Sequence, residues 1–386
     1  MDFELSSEQR AIRDTVREFA RSALAPGYLD RARSSDFPWE LHRRVAELGA
    51  LGVLTQDEHN PLGAPDYLTA GVVVEELAYG DSNLANAAII PMFTSALISE
   101  FATEPVRERL LGPLLSGEIY LAFGLTEPGS GSDAAAMRTT AVADADGYSI
   151  SGEKTSVTML GESEAILLLA RTVRDGAAVG VSAFVVPLDA PGIATASMHD
   201  TGWRSLGRGT LALEEVRVSA EALVGAEGAA FRTVLSGFDF TRPLLVLTAV
   251  GCASVAIDDT VRYARERSAF GAPLARFEGI SFPLAEHATR LEAARLLCYA
   301  ALCGRGAGTA HTAHAAMAKW FGAQAATAAV HDCLLMHGNY GYTTELPFEQ
   351  RLRDVMAIEI ADGTAQVQKM IIARELFGAD FLPYAR

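Results

Sequence analysis

The sequence predicts a multi-domain chain of α and β parts: an N-terminal α-helical domain, a central antiparallel sheet or barrel, and a C-terminal helical bundle. Three observations predict it. Ile12, Val16 and Phe19 recur at three- and four-residue spacing with arginines and acids between them, as on an amphipathic helix. From about Tyr120, short β-rich runs are separated by Gly, Asp and Pro. Beyond Gly228, long amphipathic segments joined by glycine-bearing turns take over. The domain limits that follow are 1–119, 120–227 and 228–386.

Each part has local signals. Ser6 followed by Gln9 makes a capping box at the first helix, and Pro26, Pro38, Pro61 and Pro91 punctuate the helices after it. The runs YSISG, AILLLART, VSAFVVPL and LALEEVRV read as strands. The last part opens with a long segment from Phe231 and continues with alanine-rich helices at Leu291–Gly304 and Thr309–His331. With no internal repeat and no low-complexity linker, the three parts are expected to pack as one rigid unit.

The totals narrow the class. Asp and Glu outnumber Lys and Arg 48 to 32 over 386 residues, a formal charge of −16, which disfavours nucleic acid or an anionic membrane as partner. Cys252, Cys298, Cys303 and Cys333 sit in apolar surroundings without metal-ligand spacing, as reduced thiols of a cytoplasmic protein do. The N-terminus carries no apolar run of signal-peptide length, and Leu244–Ile257 falls short of the ~20 residues that span a bilayer.

Several stretches carry chemistry. GLTEPGSGSDAAAMRTTA (124–141) enters a glycine-serine loop that exposes N–H groups and small hydroxyls to an anion or a polar ring edge. SGEKTSVTM (151–159) contains Thr158 on a strand. FDFTRP (238–243) places Asp239 and Arg242 at the expected start of a buried helix, where the acid caps and the arginine binds phosphate. RSAFG (267–271) and GNYGY (338–342) add two glycine turns. IEIADGTAQVQ (358–368) holds Asp362 directly before Gly363, and the residues alone leave open whether that acid caps a turn or removes a proton. His311 and His314 lie three apart but lack a carboxylate partner pattern, so no metal site is expected; His331 is expected at a helix end. No Walker loop or Ser-His-Asp arrangement is present.

In their order and spacing these stretches resemble the acyl-CoA dehydrogenase family, flavoenzymes that desaturate acyl thioesters, over nearly the whole chain. The family patterns TEPxxGSD, RxxFG, GGxGY and EGTxxIQ appear here as TEPGSGSD, RSAFG, GNYGY and DGTAQVQ. The resemblance implies a β-barrel in the middle, a four-helix bundle at the C-terminus, and FAD between them, its adenosine end reaching a neighbouring subunit of a homodimer or homotetramer. It implies Thr126, Ser132 and Thr158 along the flavin and pyrophosphate, Thr158 near N5. Arg267, Phe270, Phe277 and Glu278 would meet the partner's FAD, with Gly338, Thr364 and Gln366 along its ADP portion. Ser132, Phe238, Asp239, Arg242 and Gly363 would bind the substrate. Asp362 falls at the catalytic base, whose peptide N–H also serves the thioester oxygen, and other members place the base at the position of Thr241.

The chain departs from the family at telling places. Asp stands for the usual Glu at 362, Ser156 for a tryptophan covering the flavin, Leu335 and Glu278 for glutamines, Asn339 for a glycine and Ala361 for a tyrosine. The expected activity is FAD-dependent dehydrogenation of an acyl thioester, with electrons leaving to an electron-transfer flavoprotein. The thioester is carried on CoA or, alternatively, on an acyl carrier protein in secondary metabolism with an unusual short or branched chain. From other classes, a flavin monooxygenase or oxidase on the same scaffold and a non-catalytic binding protein are the alternatives.

Overall fold

The computed structural model describes residues 5–56, 58–378 and 380. Its first part contains α1 (Ser7–Phe19), α2 (Tyr28–Arg33), α3 (Trp39–Glu47), α4 (Tyr67–Gly80), α5 (Ser82–Phe101) and α6 (Glu104–Leu115). The capping box at α1 is present: Ser6 Oγ accepts from Gln9 N at 3.1 Å and Gln9 Oε1 accepts from Ser6 N at 3.0 Å.

The strands follow as β1 (Leu121–Gly124), β2 (Thr140–Ala143), β3 (Tyr148–Thr158), β4 (Ala165–Arg174), β5 (Ala177–Pro187), β6 (Ile193–Ser197), β7 (Arg208–Val218) and β8 (Leu223–Val224). They form one sheet in the order β6-β7-β3-β2-β4-β5-β8, with β1 added on β4. Most ladders are antiparallel, as the short runs and tight turns dictate. The β1–β4 and β2–β4 ladders are parallel, because β1 and β2 both enter beside β4 from long connections rather than hairpins.

The C-terminal part comprises α7 (Ala230–Glu266), the small ribbon β9 (Ser268–Ala269) and β10 (Ala272–Pro273), α8 (Glu278–Gly306), α9 (Thr312–Met336), α10 (Gly338–Gly341), α11 (Phe348–Ile358) and α12 (Ala365–Phe377). Here the structure corrects two sequence expectations. FDFTRP does not begin a helix: α7 starts at Ala230 and runs through Pro243, so Asp239 lies inside the helix and does not cap it. His331 is not at a helix end, since α9 continues to Met336.

The two helical parts share one apolar core, which includes Val73, Val74 and Leu77 of α4, Leu244, Leu247 and Val250 of α7, and Leu291 and Cys298 of α8. α4 and α7 approach so closely that a Cβ at Gly251 would sit 2.3 Å from the carbonyl oxygen of Glu75. The sheet keeps its own core around Ile150, Leu168 and Phe184, and a third cluster joins its other face to α5 and α6. Among the described residues two helices, Ser82–Phe101 and Ala230–Glu266, are long and apolar enough to cross a membrane, but 72% and 61% of their apolar windows are buried inside the fold. That burial accounts for their composition, as in the core helices of a globular protein.

Candidate active site

Asp362 stands in the turn between α11 and α12, half-buried, with a left-handed backbone (φ +52°) followed by Gly363 at φ +97°. A short polar side chain tolerates this conformation better than most, and glycine freely. The carboxylate Oδ2 accepts a hydrogen bond from Thr241 Oγ1 at 2.9 Å. The turn's carbonyls are held from three sides. Arg242 Nε and Gln368 Nε2 each donate to the Asp362 carbonyl at 3.1 Å, Gln368 Nε2 reaches the Gly363 carbonyl at 3.1 Å, and Lys319 Nζ donates to the carbonyls of Ile358 and Gly363. The Asp362 N–H has no acceptor among the described residues, which leaves it free to bind a ligand oxygen.

α7 supplies the wall beside this turn. Phe238, Thr241, Arg242 and Leu245 fall at helical spacing on one face. Arg242 is 7% exposed, pairs with Asp239 at 3.4 Å and lies 5.5 Å over the Phe238 ring. Burial lowers its pKa against the opposing pull of Asp362 and Asp239, and the nearby Arg374 lowers it further. Asp239 also accepts from Thr312 Oγ1 at 2.7 Å and faces His311 Nε2 at 3.8 Å. Arg242 is thus held by the Asp239 side chain and the Asp362 backbone through Nη1 and Nε.

Phe238 connects this wall to the glycine-serine loop. Its ring lies 6.3 Å from Phe123 on β1 and 6.4 Å from Phe93 on α5, and β1 runs directly into Thr126. The loop is fixed to β3 by a buried ion pair between Lys154 Nζ and Glu127 Oε1 at 2.9 Å, by Lys154 Nζ to the Leu125 carbonyl at 3.0 Å, and by Thr155 N to the Thr126 carbonyl at 2.9 Å. Burial raises the Glu127 carboxyl, but hydrogen bonds from Thr139, Arg138 N–H and Lys154 outweigh it and hold it down to about 2. Ser156 (φ +57°) and Met159 (φ +59°) bracket Thr158 at the end of β3, where the ladder to β7 shifts register. Such strain in non-glycine residues costs ~1–3 kcal/mol each and gathers at ligand sites.

These residues fit a flavin. Ser130 Oγ in the loop is buried with no partner among the described residues. A Cβ at Gly129 or Gly131 would meet nothing within 4 Å, so backbone N–H groups there are open to close approach. Ser132 is exposed on the same loop.

The remaining residues implied by the resemblance face outward. Arg267 caps α7, Phe270 is 99% exposed at φ +51° with its ring 6.3 Å from Phe277, and Glu278 opens α8. Gly338, Leu335 and Asn339 are exposed around the start of α10, and Gln366 is exposed on α12, where Thr364 is the N-cap. The structure thus brings Asp362, Gly363, Phe238, Asp239 and Arg242 together, and holds Thr126 and Thr158 on adjoining segments. Of the outward-facing group, Thr364 and Gln366 follow the Asp362 turn directly, while Arg267, Phe270 and Glu278 stand between α7 and α8.

Sequence reasoning missed Lys319, Gln368 and the Glu127–Lys154 pair. Lys319 is a lone cation within an alanine-rich helix, and Gln368 closes the DGTAQVQ pattern; both signals were readable.

Comparison with known proteins identifies the family. Residues 6–118 match the acyl-CoA dehydrogenase N-terminal domain, 122–216 the middle domain and 207–377 the C-terminal domain. A Bacillus subtilis protein named probable acyl-CoA dehydrogenase YngJ is 35% identical over 97% of this chain and 100% of its own. The butyryl-CoA dehydrogenase structure from Megasphaera elsdenii superposes with a TM-score of 0.91 at 31% identity, covering 97% of this chain and 100% of that one. The prolyl acyl carrier protein oxidase AnaB does so with a TM-score of 0.91 at 26% identity, covering 97% and 100%. The chain belongs to the acyl-CoA dehydrogenase family, flavoprotein oxidoreductases acting on CH–CH groups.

Proposed function

We propose that this protein uses FAD to desaturate a short-to-medium acyl thioester, with Asp362 as the base. The observation that carries the reading is the Asp362 turn: a half-buried carboxylate and a free peptide N–H on the same residue, set beside a wall of Phe238 and Arg242 that leads to the flavin-type loop. Thr126, Ser132 and Thr158 would hold FAD, which when bound would supply the acceptor for the β-hydrogen as hydride. Asp362 takes the α-proton, and the Asp362 N–H donates to the thioester oxygen, where negative charge develops. Loss of H⁺ and H⁻ from adjacent carbons leaves the trans-enoyl thioester. Thr241 orients the carboxylate so that its second oxygen remains available for the proton.

Exposed apolar side chains on the C-terminal part, including Phe270, Tyr342 (83%) and Ile360 (70%), support a homodimer or homotetramer in which Arg267, Phe270, Phe277 and Glu278 meet the partner's FAD. Gly338, Thr364 and Gln366 extend that surface. Electrons then pass to an electron-transfer flavoprotein in the cytoplasm.

A carrier-bound substrate is the second reading, favoured by Ala361 beside the base and by likeness to a prolyl carrier protein oxidase. The net charge of −16 opposes it, because carrier proteins are themselves acidic. Mixing the purified yellow protein anaerobically with acyl-CoA and acyl-carrier thioesters tests both readings. Bleaching of the flavin by one class identifies the carrier; no bleaching by any thioester contradicts the function.

A further inference from the structure

Lys319 is 1% exposed in α9, among the buried alanines Ala315, Ala316, Ala318 and Ala323. No carboxylate lies within ion-pair distance of it among the described residues. Its acceptors are two carbonyl oxygens, those of Ile358 and Gly363. Ile358 is the last residue of α11, and Gly363 is the residue after the base. One ammonium group therefore ties both ends of the turn that presents Asp362, and at the α11 end it also meets the negative pole of the helix. Gln368, fully buried, braces the same turn from α12 through the carbonyls of Asp362 and Gly363.

A buried cation without a counter-ion is costly, and a methionine would fill the same space without that cost. What the lysine adds is a fixed donor and a positive charge under the turn. Burial pulls its pKa down, the Asp362 charge pulls it up, and the balance stands at about 8. The other charged groups in the neighbourhood are Arg242 and Asp239 on α7, Glu359 after α11, Arg374 on α12 and His311 before α9.

We propose that Lys319 is a positioning residue for the base: it holds the turn that ends in the left-handed Asp362 and Gly363, and so fixes where the Asp362 carboxylate stands. The proposal rests on the reading of Asp362 as base. It assigns Lys319 no contact with substrate or flavin.

The test is anaerobic stopped-flow flavin reduction, measured across concentrations of the best thioester for K319M, K319Q and D362N. K319M is expected to lower the reduction rate about 10- to 100-fold, as small misplacements of a reacting group do. Its half-saturating thioester concentration should stay within about twofold of wild type, since no binding contact is lost. K319Q restores a donor, so it should recover part of the rate. Wild-type rates in both variants overturn the proposal, and so does a K319Q as slow as K319M or a lowered rate with a rise of more than about tenfold in the half-saturating concentration, either of which marks a packing role. Should K319M not fold, K319Q decides: a rate below wild type at an unchanged half-saturating concentration supports the proposal, and a wild-type rate overturns it. A D362N protein as fast as wild type sinks the base reading itself, whereas an inactive D362N beside an unaltered K319M sinks only the role of Lys319.

Discussion

Thr241 Oγ1 donates to Asp362 Oδ2 at 2.9 Å, so the two positions that the family resemblance marks for the base touch one another here. One lies on α7 and the other on the turn after α11, 121 residues apart in sequence. The contact explains how a carboxylate in either place reaches the same substrate carbon. The double variant T241E/D362A is expected to reduce its flavin at a measurable rate with a thioester that D362A alone does not oxidise. Equal inactivity of both proteins, each loaded with flavin, counts against this account of the contact.

The same hydrogen bond orients the carboxylate. In T241V flavin reduction should slow by up to about tenfold while the half-saturating thioester concentration stays within about twofold of wild type. An unchanged rate excludes Thr241 as a determinant of the base's position.

Lys154 and Glu127 hold the flavin-type loop against β3 from positions that are 0% and 6% exposed. Removing one partner of such a pair strands the other charge. K154M is expected to lose about 3 kcal/mol of stability and to retain less FAD through desalting, and adding E127Q should recover part of both. Full FAD retention in K154M contradicts the positioning role of the pair.

His42 is fully buried among Phe37, Trp39 and Tyr120, with neither ring nitrogen hydrogen-bonded among the described residues. Burial, with help from Arg43, pushes its pKa down from 6.5 to about 4. The unfolded chain therefore takes up a proton at this residue between pH 6.5 and 4 that the native protein refuses, and stability falls as pH falls through that window. The contribution amounts to about 3 kcal/mol. Chemical denaturation of H42F at pH 7 and at pH 4.5 should show a smaller loss than wild type; an identical loss refutes it.

Phe270 projects almost wholly into solvent from a strained turn. In sedimentation experiments F270A is expected to shift the protein toward smaller species and to weaken FAD retention together. Unchanged mass and unchanged flavin content would remove Phe270 from the proposed subunit contact.

How far the sequence spoke depended on whether a residue's role left a pattern. The apolar run AILLLART located a strand buried on both faces, and the spacing of Ile12, Val16 and Phe19 located a helix because a half-buried helix must repeat with its own period. FDFTRP misled, because proline next to a polar group normally marks a helix start, whereas α7 is packed on several sides and continues through it. The division into three parts hid the single core shared by α4, α7 and α8, since contacts between distant segments have no local signature. Asp362 was visible through its motif. Lys319 stood out only as a cation among alanines, and His42, between the charged residues of α3, left no pattern that separates a caged imidazole from a solvated one.

The central claim is that the Asp362 carboxylate removes the α-proton while the flavin takes the β-hydrogen. The most direct measurement is single-turnover flavin reduction in wild type and D362N with a thioester that bleaches the wild-type enzyme, in protiated and α-deuterated form. The account predicts an isotope effect on the wild-type rate and a fall of at least about a thousandfold in D362N, with thioester binding preserved. Flavin reduction in D362N at the wild-type rate would contradict it.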